Sequence, residues 1–166
     1  MQKKPLVSIL IASYNKEKYV KRCINSCLNQ NYNKIEVIFY DDGSKDNSYD
    51  VAKKIKGIKV FKNKKKTNLG NFNTYYQINS YNKAFSKSKG KYILLLDSDD
   101  FFRKNKVKEI VNYFNKNQNS NIIFDLPIYY YSKNKMINSK NLKSKKILKK
   151  DIWPSFPMAG SCNSFK

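Results

Sequence analysis

The sequence predicts an α/β sandwich, in which a mostly parallel central β-sheet is covered by helices on both faces. Short, continuously apolar segments, typical of strands buried on both faces, alternate along the chain with segments of helical periodicity. Strands that alternate with helices usually run parallel, because each helix returns the chain to the same end of the sheet. The chain has 166 residues, of which 40% are hydrophobic, so a single domain over residues 1–166 can bury a core.

The predicted elements begin with a strand and alternate from there. Strands are expected at residues 6–12, 35–40, 58–61, 92–96 and 121–124. Helices are expected from about residue 19 to near Asn31, from the N-cap Ser44 to about 55, from about 73 to 88, and across 107–114. Residues 132–150 are rich in Lys, Asn and Ser and are expected to form a mobile basic segment, after which the chain returns to the core.

The composition is strongly basic, with a formal net charge of +22 at pH 7. Such a charge invites nucleic acid, an anionic membrane surface or small phosphorylated ligands as partners. Nearly all of it comes from Lys, since Arg22 and Arg103 are the only arginines, and this argues against specific nucleic-acid recognition. Two alternatives stay open: a solvated surface without a polyanionic partner, and a single-stranded nucleic-acid-binding module in which Tyr residues stack on bases.

The sequence shows no sign of a membrane span or an export signal. No apolar run approaches the roughly 20 residues of a membrane-spanning helix, and the first 13 residues lack a signal-peptide cleavage pattern. We expect a cytoplasmic protein, and peripheral association with the inner face of the membrane is left open.

The chain contains no His, which removes the commonest general base and leaves acid–base chemistry to carboxylates, Lys or Tyr. Cys23 and Cys27 are four residues apart on a helical pattern. Without His or a second close Cys pair they do not form a zinc site, and we expect two small buried side chains.

Polar clusters follow three of the predicted strands, at Ser13–Asn15, Asp41–Asp42 and Asp97–Asp100. The carboxyl ends of parallel strands lie at the same edge of a sheet, so we expect these clusters to meet there. This is the edge at which α/β sheets bind ligands. The carboxylates of Asp97 and Asp99 could hold Mg²⁺ or Mn²⁺ together with substrate phosphates. An ordinary turn before a helix, with Asp100 as the N-cap, is the open alternative.

The remaining polar residues could bind a nucleotide. Tyr14 could pack across a planar base, and a carboxylate at Asp41–Asp42 could accept the N–H of a base such as uracil. Gly70, in the loop Asn68–Asn71, could allow a positive φ or a close approach of the backbone to a ligand. Each has a plain alternative: an exposed loop aromatic, a strand–turn–helix junction and an ordinary turn.

Four motifs in order, SILIASYNKEKYV, VIFYDDGSKDNS, NLGN and GKYILLLDSDDFF, resemble the inverting family 2 glycosyltransferases of the GT-A fold over residues 5–115. The resemblance implies a GT-A (Rossmann-like) α/β/α sandwich with hexosyl- or N-acetylhexosaminyl-transferase activity. Its donor would be a nucleoside-diphospho-sugar, expected to be a UDP-sugar, bound through Mg²⁺ or Mn²⁺. The sugar would pass, with inversion, to a hydroxyl of a glycan or lipid-linked acceptor.

The resemblance also implies roles for individual residues. In that family, the residues matching Ala12, Tyr14 and Asp42 hold the base and ribose, and the residue matching Asp99 ligates the metal. Asp97 matches the first Asp of the D-x-D motif and approaches the donor sugar or ribose. The expected nucleotide-binding residues are Ala12, Tyr14, Asn15, Asp42, Asn68, Gly70, Asp97 and Ser98, and the expected metal ligands are Asp99 and Asp97.

The sequence departs from the family pattern in two places. Many relatives carry an Arg late in the helix before the D-x-D strand, close to the donor, whereas residues 75–82 here contain no basic residue. The family's catalytic base, an Asp or Glu, usually lies beyond a segment that looks like GSCNSFK, and this sequence stops at Lys166, directly after that segment. We therefore expect the N-terminal part of a longer enzyme, with the catalytic base beyond Lys166.

Overall fold

A computed structural model describes residues 4–64, 73–124, 129–130, 136–137 and 163–165. The strands are β1 (Val7–Ser13), β2 (Ile35–Asp41), β3 (Lys59–Lys62), β4 (Tyr92–Asp97), β5 (Ile122–Phe124), β6 (Tyr129–Tyr130), β7 (Met136–Ile137) and β8 (Asn163–Phe165). The helices are α1 (Glu17–Leu28), α2 (Ser48–Lys53), α3 (Asn73–Phe85) and α4 (Lys106–Lys116). Each predicted strand and helix is therefore present.

Six strands form one sheet in the order β3-β2-β1-β4-β8-β5. β1 pairs in parallel with β2 and β4, and β2 pairs in parallel with β3. β8 lies between β4 and β5 and runs antiparallel to both. The predicted α/β fold with a mostly parallel sheet is confirmed, and its strand order reverses between β1 and β4. Residues 132–150, expected to be mobile, lie outside the described residues except for β7, which pairs with β6.

The side chains of the central strands alternate between two apolar layers, as expected for a sheet covered on both faces. The layer toward α1 and α4 includes Val7, Ile9, Ile11, Val37, Phe39, Leu94, Leu96, Ile24 and Val111. The layer toward α3 contains Leu10, Ala12, Ile38, Tyr40, Tyr81, Ala84 and Ile93. All seven residues of β1 are buried, which makes this strand the centre of the core.

Helix α1 packs on the sheet through an apolar stripe that contains Val20, Cys23, Ile24 and Cys27. The two cysteines are free and buried, so the expectation that they are small core side chains is confirmed. Among the helices in the described part of the chain, none is long and apolar enough to cross a membrane.

Two predicted N-caps are wrong. Helix α2 begins at Ser48 rather than after Ser44, because the Ser44 hydroxyl accepts a hydrogen bond from the Asn15 N–H (2.9 Å). Helix α4 begins at Lys106, well beyond Asp100, whose N–H instead closes a turn onto the carbonyl of Asp97 (3.0 Å).

The carboxylate of Glu36 joins several elements at the amino-terminal edge of the sheet. Its Oε1 accepts hydrogen bonds from the Ser8 hydroxyl and the Lys89 N–H, both at 2.5 Å. Its Oε2 pairs with the Lys59 ammonium at 2.7 Å. Burial by itself raises the pKa of Glu36, but these three donors outweigh it and hold the pKa below its ordinary value of 4.5.

Replacing Glu36 with Gln should lower the free energy of unfolding by about 1–2 kcal/mol at pH 7, because hydrogen bonds to an ionised group are stronger than those to an amide. Since the pKa of Glu36 is lower in the folded protein, its contribution is present above pH 4.5 and is lost as the pH falls through the folded-state pKa. Urea denaturation at pH 7 and at about pH 3 should therefore show a smaller difference between wild type and Glu36→Gln at the lower pH.

The matched control is Glu109→Gln, because the ion pair of Glu109 with Arg103 is long (3.8 Å) and more than half exposed. We expect no measurable change for this variant. A Glu36→Gln effect of equal size at both pH values would contradict the assigned role of the ionised carboxylate.

Candidate functional site

The three predicted polar clusters lie next to each other at the carboxyl edge of the sheet. In the strand register Ser13 lies opposite Asp41, and Ala12 lies opposite Asp97. A hydrogen bond from the Asp42 N–H to the Ser13 carbonyl (2.9 Å) extends this pairing past the strand ends. Because β1 lies between β2 and β4 where the strand order reverses, the clusters occupy the position at which α/β sheets bind ligands.

The two adjacent carboxylates after β2 have different surroundings. Asp41 Oδ1 accepts the N–H groups of Gly43 (3.0 Å) and Ser44 (2.7 Å), and Gly43 has a φ of 79°, a left-handed conformation that favours glycine. Asp42 Oδ1 instead accepts a hydrogen bond from Asn63 Nδ2 at 2.5 Å. Asp41 therefore holds the turn, and the ligand-binding role predicted for Asp42 is compatible with its geometry.

The loop after β1 is joined to the loop after β2 through Asn15. This residue has a φ of 54°, a conformation that Asn tolerates better than most residues. Its Oδ1 accepts the Lys45 N–H at 2.8 Å, and its own N–H donates to the Ser44 hydroxyl. The Asn15 side chain thus shapes the site by joining two loops, while the neighbouring Ala12 is buried and Tyr14 is half-buried.

Asp97, at the end of β4, receives two hydrogen bonds from helix α3. The Tyr81 hydroxyl (2.5 Å) and the Gln77 side-chain amide both donate to Oδ1. Burial raises the pKa of Asp97, although the hydrogen bond from Tyr81 opposes this rise. Burial also raises the pKa of Tyr81 well above its ordinary value. The part of α3 that contains no basic residue therefore contacts this carboxylate through neutral hydrogen-bond donors.

Asp99 lies two residues further along, is half-exposed, and has positive charge beside it. Its Oδ2 is 2.5 Å from the ammonium of Lys16, the residue before α1, and its carbonyl accepts a hydrogen bond from Arg22 Nη2 (3.2 Å). The hydrogen bond to Asp99 raises the pKa of Lys16. Two cations beside one accessible carboxylate make a setting suited to an anionic ligand.

Asp97 and Asp99 fit a hard divalent cation that shares its coordination shell with a ligand. Carboxylate oxygens are the donors that Mg²⁺ and Mn²⁺ prefer. Within the described ranges, no group of three or more His, Cys, Asp or Glu side chains is arranged to enclose a metal ion. A pair of carboxylates is nevertheless enough for Mg²⁺, which is usually bound through one or two of them together with substrate phosphates.

The other predicted site residues are Ser98, Asn68 and Gly70. Ser98, between the two carboxylates of the D-x-D motif, is buried, and its N–H donates to the Ala12 carbonyl at 3.2 Å. Asn68 and Gly70 lie outside the described residues.

Sequence reasoning missed the residues that bond to the carboxylates, namely Lys16, Asn63, Gln77 and Tyr81. A signal for some of them exists in the sequence. Gln77 and Tyr81 are four residues apart, which places both on one face of α3, and Asn63 directly follows β3 at the edge where the polar clusters meet. None of these signals identifies the carboxylate that each residue contacts.

The fold and the site define an α/β protein with a cluster of carboxylates at the switch point of a mostly parallel sheet, the position at which such proteins bind ligands. The sequence model of Glycosyl transferase family 2 matches residues 8–165. The chain is 32% identical over 134 residues to the Escherichia coli protein WfaP, described as UDP-Glc:alpha-D-GlcNAc-diphosphoundecaprenol beta-1,3-glucosyltransferase, covering 80% of this chain and 49% of WfaP. The chain therefore belongs to Glycosyl transferase family 2.

Solved structures of other proteins share the fold. Residues 1–349 of TarS from S. aureus, in complex with UDP, match with a TM-score of 0.60 and 25% identity over 70% of this chain and 34% of that chain. The mannosyltransferase PcManGT from Pyrobaculum calidifontis, in complex with GDP-Man and Mn²⁺, matches in fold with a TM-score of 0.59 and 16% identity over 68% of this chain and 33% of that chain. The chain spans between 35% and 49% of the length of the first curated relatives that it matches.

Proposed function

We propose that this chain is the donor-binding part of a glycosyltransferase that uses a UDP-sugar and a divalent metal ion. The observation that carries the proposal is the meeting of Asp42, Asp97 and Asp99 at the β1–β4 switch point of a family 2 chain. Asp42 is buried, Asp97 is held by neutral donors, and Asp99 is half-exposed beside two cations. The buried Asp42 suits recognition of a base, and Asp97 suits contact with the ribose or sugar. Asp99 offers an accessible carboxylate for a metal ion, and the two cations beside it suit the diphosphate.

Asp42 is the residue proposed to recognise uracil. An ionised carboxylate accepts hydrogen bonds and cannot donate one, so it favours a base that presents an N–H. The nucleotide is supported by similar proteins: TarS was solved with UDP and with UDP-GlcNAc, and the name of WfaP gives UDP-Glc as its donor. Ala12 and Tyr14, on the neighbouring strand end, would contact the base and ribose.

Asp99, together with Asp97, is proposed to hold Mg²⁺ or Mn²⁺. The bound ion would neutralise the charge that develops on the departing nucleoside diphosphate, and a complex of PcManGT contains Mn²⁺. Lys16 and Arg22 would add positive charge on the side of the diphosphate. Tyr81 keeps the Asp97 carboxylate in a fixed orientation.

The acceptor is proposed to be a hydroxyl of a glycan or of a lipid-linked sugar, and the transfer is proposed to invert the anomeric centre. The name of WfaP specifies a diphosphoundecaprenol-linked acceptor. A chain of net charge +22 would be drawn to the anionic inner face of the membrane from the cytoplasm. A specific nucleic-acid partner is not proposed, because three carboxylates at the site would repel phosphates that arrive without a metal ion.

The metal assignment is tested by calorimetric titration of UDP in the presence of Mn²⁺ and in the presence of EDTA. We expect wild type to bind UDP at least about tenfold more tightly with Mn²⁺, because Asp99 would hold the ion and its charge would offset that of the diphosphate. Asp99→Asn should bind equally weakly in both conditions, since an amide oxygen is a poorer ligand for a hard cation.

The matched control is Asp100→Asn, which removes the adjacent and exposed carboxylate of the same motif. This variant should keep the Mn²⁺ dependence of wild type. Binding of UDP by wild type that is the same in Mn²⁺ and EDTA, or a full Mn²⁺ effect in Asp99→Asn, would overturn the assignment.

A further inference from the structure

A network of side chains from three elements lies behind the Asp42 carboxylate. Asn63, the first residue after β3, donates from Nδ2 to Asp42 Oδ1 at 2.5 Å. Its Oδ1 accepts two hydrogen bonds, from the Tyr40 hydroxyl (2.8 Å) and from the Lys83 ammonium (3.0 Å). Tyr40 belongs to β2 and Lys83 to the last turn of α3, so the network joins two strands to the helix that covers them.

The orientation of the Asn63 amide is determined by its partners. Both Tyr40 and Lys83 donate to the same atom, and an ammonium group has no acceptor, so that atom must be the amide oxygen. The amide nitrogen then has to face Asp42. A backbone hydrogen bond from the Asn63 N–H to the Asp41 carbonyl (2.9 Å) holds the residue at the strand end.

Lys83 also contributes its charge. Its ammonium lies 5.8 Å from the centroid of the Tyr40 ring, and it reaches the amide oxygen on the side opposite to Asp42. A positive charge there polarises the amide and strengthens the hydrogen bond that the amide donates to the buried carboxylate. Tyr40 and Asp42 are both largely buried, so the network lies where little water competes for these bonds.

We propose that Asn63 is a positioning residue that orients the Asp42 carboxylate, and that Lys83 orients Asn63, so that the two residues together determine the selectivity of the site for uracil. The inference rests on the proposed function, in which Asp42 binds the base. A carboxylate whose Oδ1 is engaged by Asn63 is restricted in its rotation and presents a fixed acceptor to the base. Uracil offers an N–H at position 3, whereas cytosine has an acceptor there, so a fixed carboxylate accepts one base and opposes the other.

Loss of the network should reduce the discrimination between uracil and cytosine more than it reduces the stability of the fold. Without the Asn63 amide, the carboxylate can rotate toward the exocyclic amino group of cytosine, which also donates hydrogen bonds. The affinity for UDP should therefore fall while the affinity for CDP stays the same or rises. A residue that only stabilised the fold would lower both affinities together.

The test measures the ratio of CDP to UDP dissociation constants, with Mn²⁺ present, for wild type and three variants. Asn63→Leu keeps the approximate size of the side chain and removes its hydrogen bonds, and we expect the ratio to fall about tenfold. Lys83→Met should lower it about threefold, since it removes one of the two donors to the Asn63 oxygen. Lys87→Met, the same substitution at an exposed residue four positions further along, should leave the ratio unchanged.

The outcomes separate this inference from the proposed function. Wild type that binds no UDP with Mn²⁺ present overturns both. Wild type that binds UDP selectively, together with an unchanged ratio in Asn63→Leu, overturns the inference alone. If Asn63→Leu does not fold, Lys83→Met is the deciding variant, because Lys83 is only partly buried at the surface of α3. A ratio in Lys83→Met equal to that of wild type then overturns the inference.

Discussion

Replacing Gly90 with alanine should lower the free energy of unfolding by about 3 kcal/mol and the melting temperature by roughly 6–12 °C. A Cβ at this position would overlap the Ser8 hydroxyl and would lie 2.5 Å from the Ser8 backbone nitrogen and 2.9 Å from the Tyr92 carbonyl oxygen. Two of these three contacts are with backbone atoms, which cannot move away without disturbing the pairing of β1 with β4. The Gly90 N–H also donates to the Ser8 hydroxyl (2.8 Å), so the close approach is part of the native structure.

The matched control is Gly57→Ala, and urea denaturation measures the free energy of unfolding of both variants. Gly57 has a φ of +85°, but an added Cβ would meet Leu28 Cδ2 at an ordinary 3.7 Å. The cost at this position should be the conformational strain alone, about 1–2 kcal/mol. A destabilisation by Gly90→Ala no larger than that by Gly57→Ala would show that the edge of the sheet can relax around an extra methyl group.

Replacing Asp42 with Asn should weaken UDP binding about 100-fold while leaving the fold intact. Because Asn63 already donates a hydrogen bond to one oxygen of this carboxylate, the oxygen of the new amide would turn toward Asn63. Its NH₂ group would then face the N–H of uracil, so two donors would oppose each other. A site built to accept an N–H discriminates strongly in this way, because the mismatch leaves buried polar groups unpaired.

Calorimetric titration with UDP and Mn²⁺ measures this effect, and thermal unfolding checks that the variant is folded. Asp50→Asn, the same substitution at an exposed residue of α2, should bind like wild type. A folded Asp42→Asn protein with the affinity of wild type would remove Asp42 from the base-binding site. It would leave the metal assignment of Asp99 untouched, since the two carboxylates follow different strands.

Much of the fold could be predicted from the sequence because its signals are local. In the apolar run predicted to form β1, Ser8 is the one polar residue, so the strand has no solvated face. All seven residues of β1 are buried in the structure. The helical spacing of Val20, Ile24 and Cys27 likewise predicted the buried stripe of α1. Parallel pairing followed from the alternation of elements, and it brought the polar clusters to one edge of the sheet.

The predicted cap at Ser44 failed because a local preference competed with a distant partner. Ser44 is a residue type that favours an N-cap, but its hydroxyl accepts the Asn15 N–H from the loop after β1. The helix then starts four residues later, at Ser48. The residues next to Ser44 in the sequence do not include the competing donor, the Asn15 N–H, which lies 29 residues earlier.

The sequence by itself determined the α/β class, the order of the elements from β1 to β5 and the edge at which Asp42, Asp97 and Asp99 meet, because periodicity and strand ends are properties of short segments. Only the tertiary structure decided which side chains hold these carboxylates: Asn63 for Asp42, Tyr81 and Gln77 for Asp97, and Lys16 for Asp99. The physical reason is the range of the interactions. These partners are separated from their carboxylates by between 16 and 83 residues along the chain, and a hydrogen bond acts only after the sheet and its helices have brought the two groups together.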